Sequence, residues 1–263
     1  MPDPVVTLTT DFGTSDHFVG AMKGVIVSIA PRSRIVDITH DVTSFEVTEG
    51  AFAISQSYAY FPKKTIHVVV IDPGVGSSRR PLLVEMAGQY FIAPDNGVLS
   101  MVYSRETHKV RHITADRYFR QPVSRTFHGR DIFSPVAAHL ATGVAATRFG
   151  KLIQDYVRLS LDQPVQTGKR TWTGTVLRAD RFGNLITNFH IEAFPAMGAK
   201  PFEIGIGLEK LTRLAQTFSD GGLGELMVIT GSSGFLEVTA NQASAAKLLG
   251  CAAGSPVELT LFP

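Results

Sequence analysis

The sequence predicts an α/β fold: a first domain with a mostly parallel sheet sandwiched by helices, then a small C-terminal β-barrel domain. Three observations carry this. Apolar runs of strand length alternate with helix-length amphipathic stretches through about residue 161. Beyond a Pro/Gly/polar stretch the runs become short, β-rich and separated by glycine. Hydrophobic residues make up 44% and charged residues 18% of the 263, the balance of a well-buried globular chain.

The elements follow in order. "VVTLTT" (Val5–Thr10) reads as a buried strand ending in Asp11-Phe12-Gly13. Asp16 is placed to cap a helix through "HFVGAMKGVIVSIA", which Pro31 stops. "RIVDIT" is the second strand, and "VTEGAFAISQSYAYF" has apolar residues at helical spacing with Pro62 closing it. "TIHVVVI", "RPLLVEM" and "QYFIA" read as strands, and "NGVLSMVY" and "GRDIFSPVAAHLATG" as helices. The expected first domain is 1–161 and the linker 162–170, with the β domain over 171–263. Its strands are "WTGTVLRAD", "NLITNF", "FEIGIG", "ELMVIT", "FLEVTA" and "PVELTLF", with a short helix in "NQASAAKLLG".

Composition excludes several classes. A net charge of +2 with dispersed signs leaves no electrostatic footprint for nucleic acid. Cys251 is the single cysteine, so no intrachain disulfide forms. The N-terminus lacks the basic flank and apolar core of a signal peptide. No apolar run approaches the roughly 20 residues of a membrane helix. The expectation is a soluble cytoplasmic protein.

The chemistry concentrates where predicted strands end. In open parallel sheets, ligands bind beyond the carboxyl ends of the strands. Three strands end at Asp11, at His40-Asp41 and at Asp72, and "APDNG" ends a fourth. "DPGVGSSRR" lacks the Lys-Ser/Thr of a Walker loop and the third glycine of a dinucleotide fingerprint, so a glycine turn is the simpler reading. "TFHGRDIFSP" places His128, Arg130 and Asp131 at a helix start, as a cap with a neighbouring histidine or as a catalytic histidine on a loop. Asp11, Asp16, His17, His40, Asp41, His128 and Asp131 are of metal-ligating type, but none has metal-motif spacing. No Gly-x-Ser-x-Gly elbow occurs. "ADRFGNLITN" is either an aromatic–amide platform for a flat base or a hairpin turn on Gly183 and Asn184. "GSSGFLEV" is either a carboxylate-binding glycine loop or a plain turn.

Together, "TTDFGTSD", "ITHDV", "VIDPGVGSSRR", "PDNG", "TFHGRDIFSP", "DRFGN" and "GSSGFLEV" resemble, in order, the S-adenosylmethionine hydroxide adenosyltransferase family, relatives of the fluorinases and chlorinases. The resemblance spans nearly the whole chain. It implies a metal-free, cofactor-free hydrolysis of S-adenosyl-L-methionine to adenosine and L-methionine. It also implies a homotrimer with ligand held between one subunit's N-terminal domain and a neighbour's C-terminal domain. Asp72, Arg79 and His128 match its catalytic set, with Arg79 and a protonated His128 favouring a hydroxide-like nucleophile by charge. Asp11 matches the acid for the ribose hydroxyls. Asp16, Asp180 and Ser232 match positions near the methionine amino and carboxylate groups, and Phe45, Phe182 and Asn184 the adenine environment. Two departures favour water over halide. The halogenases carry Tyr at the position of His128, and the fluorinase has a long insertion absent here. Gly129 also occurs in chlorinase and does not discriminate, and Ser233 stands where halogenating relatives carry Arg. The alternatives are a chloride-using adenosyltransferase and a non-catalytic adenosyl-nucleoside binding protein.

Overall fold

The computed structural model describes residues 3–160, 163–198 and 200–263. The chain divides into two compact units, 1–159 and 160–263. Leu161 and Asp162, where the sequence places the domain end and the linker start, lie outside the described residues.

The first unit is built on a seven-stranded sheet. Its strands are β1 (Val5–Thr10), β2 (Arg34–Thr39), β3 (Ile66–Val70), β4 (Pro81–Met86), β5 (Gln89–Pro94), β6 (His108–His112) and β7 (Leu152–Ile153), in spatial order β2-β1-β3-β5-β4-β6-β7. The joins β2–β1, β1–β3 and β3–β5 are parallel, whereas β5–β4, β4–β6 and β6–β7 are antiparallel. The sheet is therefore mixed rather than mostly parallel. The cause is local: β4 and β5 are joined by Ala87-Gly88, both at positive φ (53 and 74), a two-residue turn that can only return the chain antiparallel.

Helices cover both faces. Helix α1 (Phe18–Ile29) and α4 (Ser134–Ala141) bury Val19, Met22, Ile26, Val136 and Leu140 against Val6, Leu8, Val68 and Ile92. Helix α2 (Val47–Ser57) and the single turn α3 (Ser100–Tyr103) bury Ile54 and Val102 on the other face, with Val69, Ile71 and Phe91. The alternation of Val68 and Val70 with Val69 and Ile71 is the strand period read directly as two cores. Each such side chain, fully buried, contributes about 1.5–3 kcal/mol. Helix α1 is entered through His17 with no side-chain cap, so Asp16 is exposed and does not cap it.

The second unit contains β8 (Val165–Gln166), β9 (Thr171–Ala179), β10 (Leu185–His190), β11 (Phe202–Ile206), β12 (Glu209–Leu211), β13 (Leu214–Ala215), β14 (Leu226–Thr230), β15 (Phe235–Ala240) and β16 (Pro256–Leu261), with a short helix α5 (Ala245–Leu249). The order is β12-β11-β16-β9-β10-β15-β14-β13, with β8 also on β9. Strand β9 turns the sheet: its first half pairs with β16 and its second half with β10. Among the described residues the ladder is open between β12 and β13, so the barrel is a curled half-barrel wrapped around Phe189, Ile204, Leu236 and Leu259.

Candidate active site

Parallel register decides where the site lies. Thr9 is opposite Thr39, Thr10 is opposite Val70, and Val68 is opposite Ile92. The segments after β1, β2, β3 and β5 therefore leave the sheet at one edge. They carry Asp11, His40-Asp41, Asp72 and Asp95-Asn96. Strand β1 lies between β2 and β3, where the strand order reverses, and such a switch point opens a crevice for ligand.

Asp72, Arg79 and His128 meet at this edge. Arg79 Nε donates to Asp72 Oδ1 at 3.0 Å, and Arg79 Nη2 donates to Asp72 Oδ2, a two-point fork. Both side chains are nearly buried, at 6% and 5% exposure. Arg79 Nη2 also lies 3.1 Å from His128 Nδ1, and the guanidinium carbon stands 5.3 Å from the Phe133 ring centroid. Burial pushes the Asp72 carboxyl up, against the opposing charge and hydrogen bonds of Arg79. Burial, reinforced by the charge of Arg79, holds His128 below the ordinary histidine value. That direction disfavours the protonated His128 that the sequence reading expects.

The tautomer follows from donor chemistry. Guanidinium can only donate, so His128 Nδ1 is the acceptor and the neutral ring carries its proton on Nε2. Arg79 Nη1 is buried with no hydrogen-bond partner among the described residues. A buried guanidinium N–H left open is costly unless something polar comes to it.

The Asp72–Arg79 loop owes its shape to one glycine. Gly76 has φ +79, and a Cβ there would stand 2.3 Å from the Arg125 carbonyl oxygen. So "DPGVGSSRR" is a turn, packed against the segment that leads to His128. His128 itself is followed by a π-helical turn, Gly129–Phe133, of the kind often found at functional sites. Gly129 is packed among Met22, Phe127 and Phe12. Asp131, for which a helix cap is one of the two sequence readings, is fully buried and accepts from Arg130 Nε at 2.7 Å and Ser124 N–H at 2.9 Å. It ties the preceding loop to the turn, a role no spacing signal announces.

Asp11 holds Phe45. Its Oδ2 accepts the Phe45 N–H at 2.9 Å, and Phe45 has φ +72 with 70% of its surface exposed. A bulky side chain in left-handed backbone is strained, and such strain clusters at ligand sites. Phe12, Phe18 and Phe127 form an aromatic wall, with ring centroids 5.2 to 5.9 Å apart. The seven residues of metal-ligating type do not converge: among the described residues no group of three or more His, Cys, Asp or Glu side chains is placed to hold a metal ion.

In the second unit, Asp180, Phe182 and Asn184 share the β9–β10 turn. Asp180 Oδ1 accepts from Phe182 N–H and Asn184 N–H at 2.8 and 2.9 Å, and Oδ2 from Asn184 Nδ2 at 2.8 Å. Asn184 is buried and also takes the Thr239 hydroxyl, so both its carbonyl and one amide hydrogen are spent inside the protein. Phe182 is 78% exposed at the tip. Ser232 is exposed in the turn between β14 and β15, closed by Gly234 N–H to Gly231 O at 2.9 Å. Behind it Glu237 is buried on β15, and burial with the charge of Asp180 pushes its carboxyl up to about 6.

Sequence comparison completes the picture. The N-terminal domain description of the SAM hydroxide adenosyltransferases matches residues 6–150, and their C-terminal domain description matches residues 174–258. The chain belongs to the SAM hydroxide adenosyltransferase family. Within that family and its surroundings, an (R)-S-adenosyl-L-methionine hydrolase of Salinispora tropica is 34% identical over 98% of both chains. A fluorinase of Actinoplanes is more distant, at 26% identity over 98% of both. A solved structure of an uncharacterized conserved protein from Thermotoga maritima superposes with a TM-score of 0.89 at 36% identity, covering 97% of this chain and 99% of that one. The full-length match means that the hydroxide adenosyltransferase pattern extends through both units, not only through the Asp72–Arg79–His128 cluster.

Proposed function

We propose that this protein hydrolyses S-adenosyl-L-methionine to adenosine and L-methionine. The family membership and the full-length likeness to hydrolases support the substrate. The observation that carries the chemistry is the buried Asp72–Arg79–His128 cluster with its open Arg79 N–H. Water held beside the Asp72–Arg79–His128 cluster attacks the ribose 5′ carbon in line with the sulfonium. The C5′–S pair returns to sulfur, which leaves as a neutral thioether, and the water gives up one proton to form the 5′ hydroxyl. The guanidinium favours the developing hydroxide. Asp72, made more basic by burial, is the acceptor best suited to the proton: its two oxygens keep lone pairs beyond those the Arg79 fork uses, whereas the single lone pair of His128 Nδ1 is already engaged by Arg79. Positioned acid–base help of this kind contributes about 10²–10⁴-fold, and in-line positioning adds to it.

Asp11, Asp16, Phe45, Asp180, Phe182, Asn184 and Ser232 are the proposed substrate-binding residues, with Asn184 acting by holding Asp180 and the turn that presents Phe182. The reaction needs no metal or other cofactor, since the leaving group departs uncharged. We further infer a cytoplasmic homotrimer with sites shared between subunits; among the described residues no helix is long and apolar enough to cross a membrane. Purified protein incubated with S-adenosylmethionine in chloride-free buffer with chelator should release adenosine and methionine in equal amounts. Asp72→Ala and His128→Ala should each lower turnover at least about 10²-fold while binding survives. Binding without adenosine in the parent protein, or full activity in either variant, would refute the assignment.

A further inference from the structure

The turn after β5, Asp95 to Gly97, carries side chains that the proposed reaction does not use. Asn96 Nδ2 donates to the Ile71 carbonyl at 2.8 Å, and Ile71 is the residue before Asp72. Asn96 Oδ1 accepts Val98 N–H at 3.2 Å, which fixes which end of the amide faces Ile71. Asp95 N–H donates to the Arg80 carbonyl at 2.9 Å, and Asp95 Oδ2 accepts Arg80 Nε at 2.9 Å. Arg80 is the residue after Arg79. Two consecutive residues of one turn therefore grip the flanking neighbours of both members of the Asp72–Arg79 pair.

The grip is anchored on its far side. The Asp95 side chain is 5% exposed, and its Oδ1 accepts Val157 N–H at 2.8 Å. Arg80 Nη1 reaches Asp155 Oδ1 at 3.0 Å, and Nη2 the Asp155 carbonyl at 2.7 Å. Between the gripped ends the loop is held mainly by its own turns, Val75 N–H to Asp72 O and Ser77 N–H to Gly74 O, both at 3.2 Å. Its residues Pro73 and Gly76 to Ser78 are exposed. Its ends run into β3 and β4, and the Asp95 and Asn96 bonds act where it leaves them.

We propose that Asp95 and Asn96 are positioning residues that hold the Asp72–Arg79 fork at its working geometry. They set turnover rather than substrate affinity, a claim that rests on the hydrolase reading. A displacement of about 1 Å in a reacting group can cost on the order of 10²-fold, and loss of either anchor frees one end of the loop by that order.

The experiment measures adenosine formation for Asn96→Ala and Asp95→Asn, alone and in an Arg79→Lys background. Asn96→Asp serves as a second variant, since it keeps the acceptor for Val98 N–H and replaces the donor to Ile71 by a carboxylate oxygen that the Ile71 carbonyl repels. The single substitutions should lower kcat about 10- to 100-fold with KM changed less than about threefold. In the Arg79→Lys background the same changes should alter the residual kcat less than about threefold, because residues acting through one group are not additive. Asp95→Asn, which retains an acceptor for Arg80, should keep more turnover than Asp95→Ala. Additive losses, or unchanged kcat in Asn96→Asp, overturn the proposal. If the parent protein makes no adenosine, the hydrolase reading fails by itself. The positioning is then read from the nitrogen-15 resonance of Arg79 Nε: its fork-bonded position should be lost in Asn96→Asp, and an unchanged signal overturns the claim.

Discussion

His128 shows how a single residue's role depends on its neighbours. A histidine at ordinary pKa, about 6.5, would be partly charged at neutral pH. Here burial and Arg79 both disfavour the imidazolium. Protonating Nδ1 would also break its hydrogen bond from Arg79 and set two cations side by side. In the proposed reaction the neutral ring is the working form. The kcat/KM profile should thus fall on the acid side, with its midpoint below the ordinary histidine value. Activity that instead falls as pH rises through neutrality would show that His128 works charged. The residue types at the strand ends were legible because Asp, His and Arg beside glycine loops have few structural uses. The protonation state was not, because it is set by Arg79, 49 positions away along the chain. Asp16 and Asp131 show the complementary difficulty. Both have the residue type of a helix cap, yet one is exposed and the other is a buried tether.

Among the elements, the β3–β4 connection does the most. Its length is set by the need to carry Asp72 out of a parallel strand and bring Arg79 back over it. Gly76 makes this possible, and Gly76→Ala should therefore cost more than the usual glycine replacement. Positive φ alone disfavours alanine by about 1 kcal/mol, and the Arg125 carbonyl sits where the methyl must go. We expect at least about 2 kcal/mol of lost stability in urea melts, with turnover falling further because Arg79 moves with the loop. Stability within about 0.5 kcal/mol of the parent would mean the turn is more plastic than its contacts imply. Long apolar or strongly alternating elements such as β1, β3, β14 and β15 were readable from their patterns. Strands β6 and β7 were not. "HKVRH" has one buried position in five and "LI" is only two residues, so they exist because the sheet edge beside β4 needed partners. The π turn before α4 was likewise invisible, since its sequence reads as ordinary helix.

At the scale of the whole molecule, the proposed reaction needs side chains from both domain types, and the proposed trimer supplies them from different subunits. Light scattering should give a mass about three times that of the chain. Mixing two inactive variants, His128→Ala and one in the Asp180–Asn184 turn, should restore part of the activity after subunit exchange, since some mixed sites are intact. A monomeric active enzyme, or no recovery despite exchange, would rule out shared sites. The amino-acid sequence by itself determined the α/β and β division, the strand ends that bear acids, and the family. Those follow from hydrophobic period and from motif order, which are local properties of the chain. Tertiary structure alone decided that the first sheet is mixed, that the second stays an open half-barrel, and that His128 Nδ1 faces the Arg79 guanidinium. It also decided that Asp95 and Asn96 grip the residues flanking Asp72 and Arg79. Each of these depends on groups distant in sequence meeting at fixed distances in a buried setting, where the cost of an unpaired charge or amide selects one arrangement.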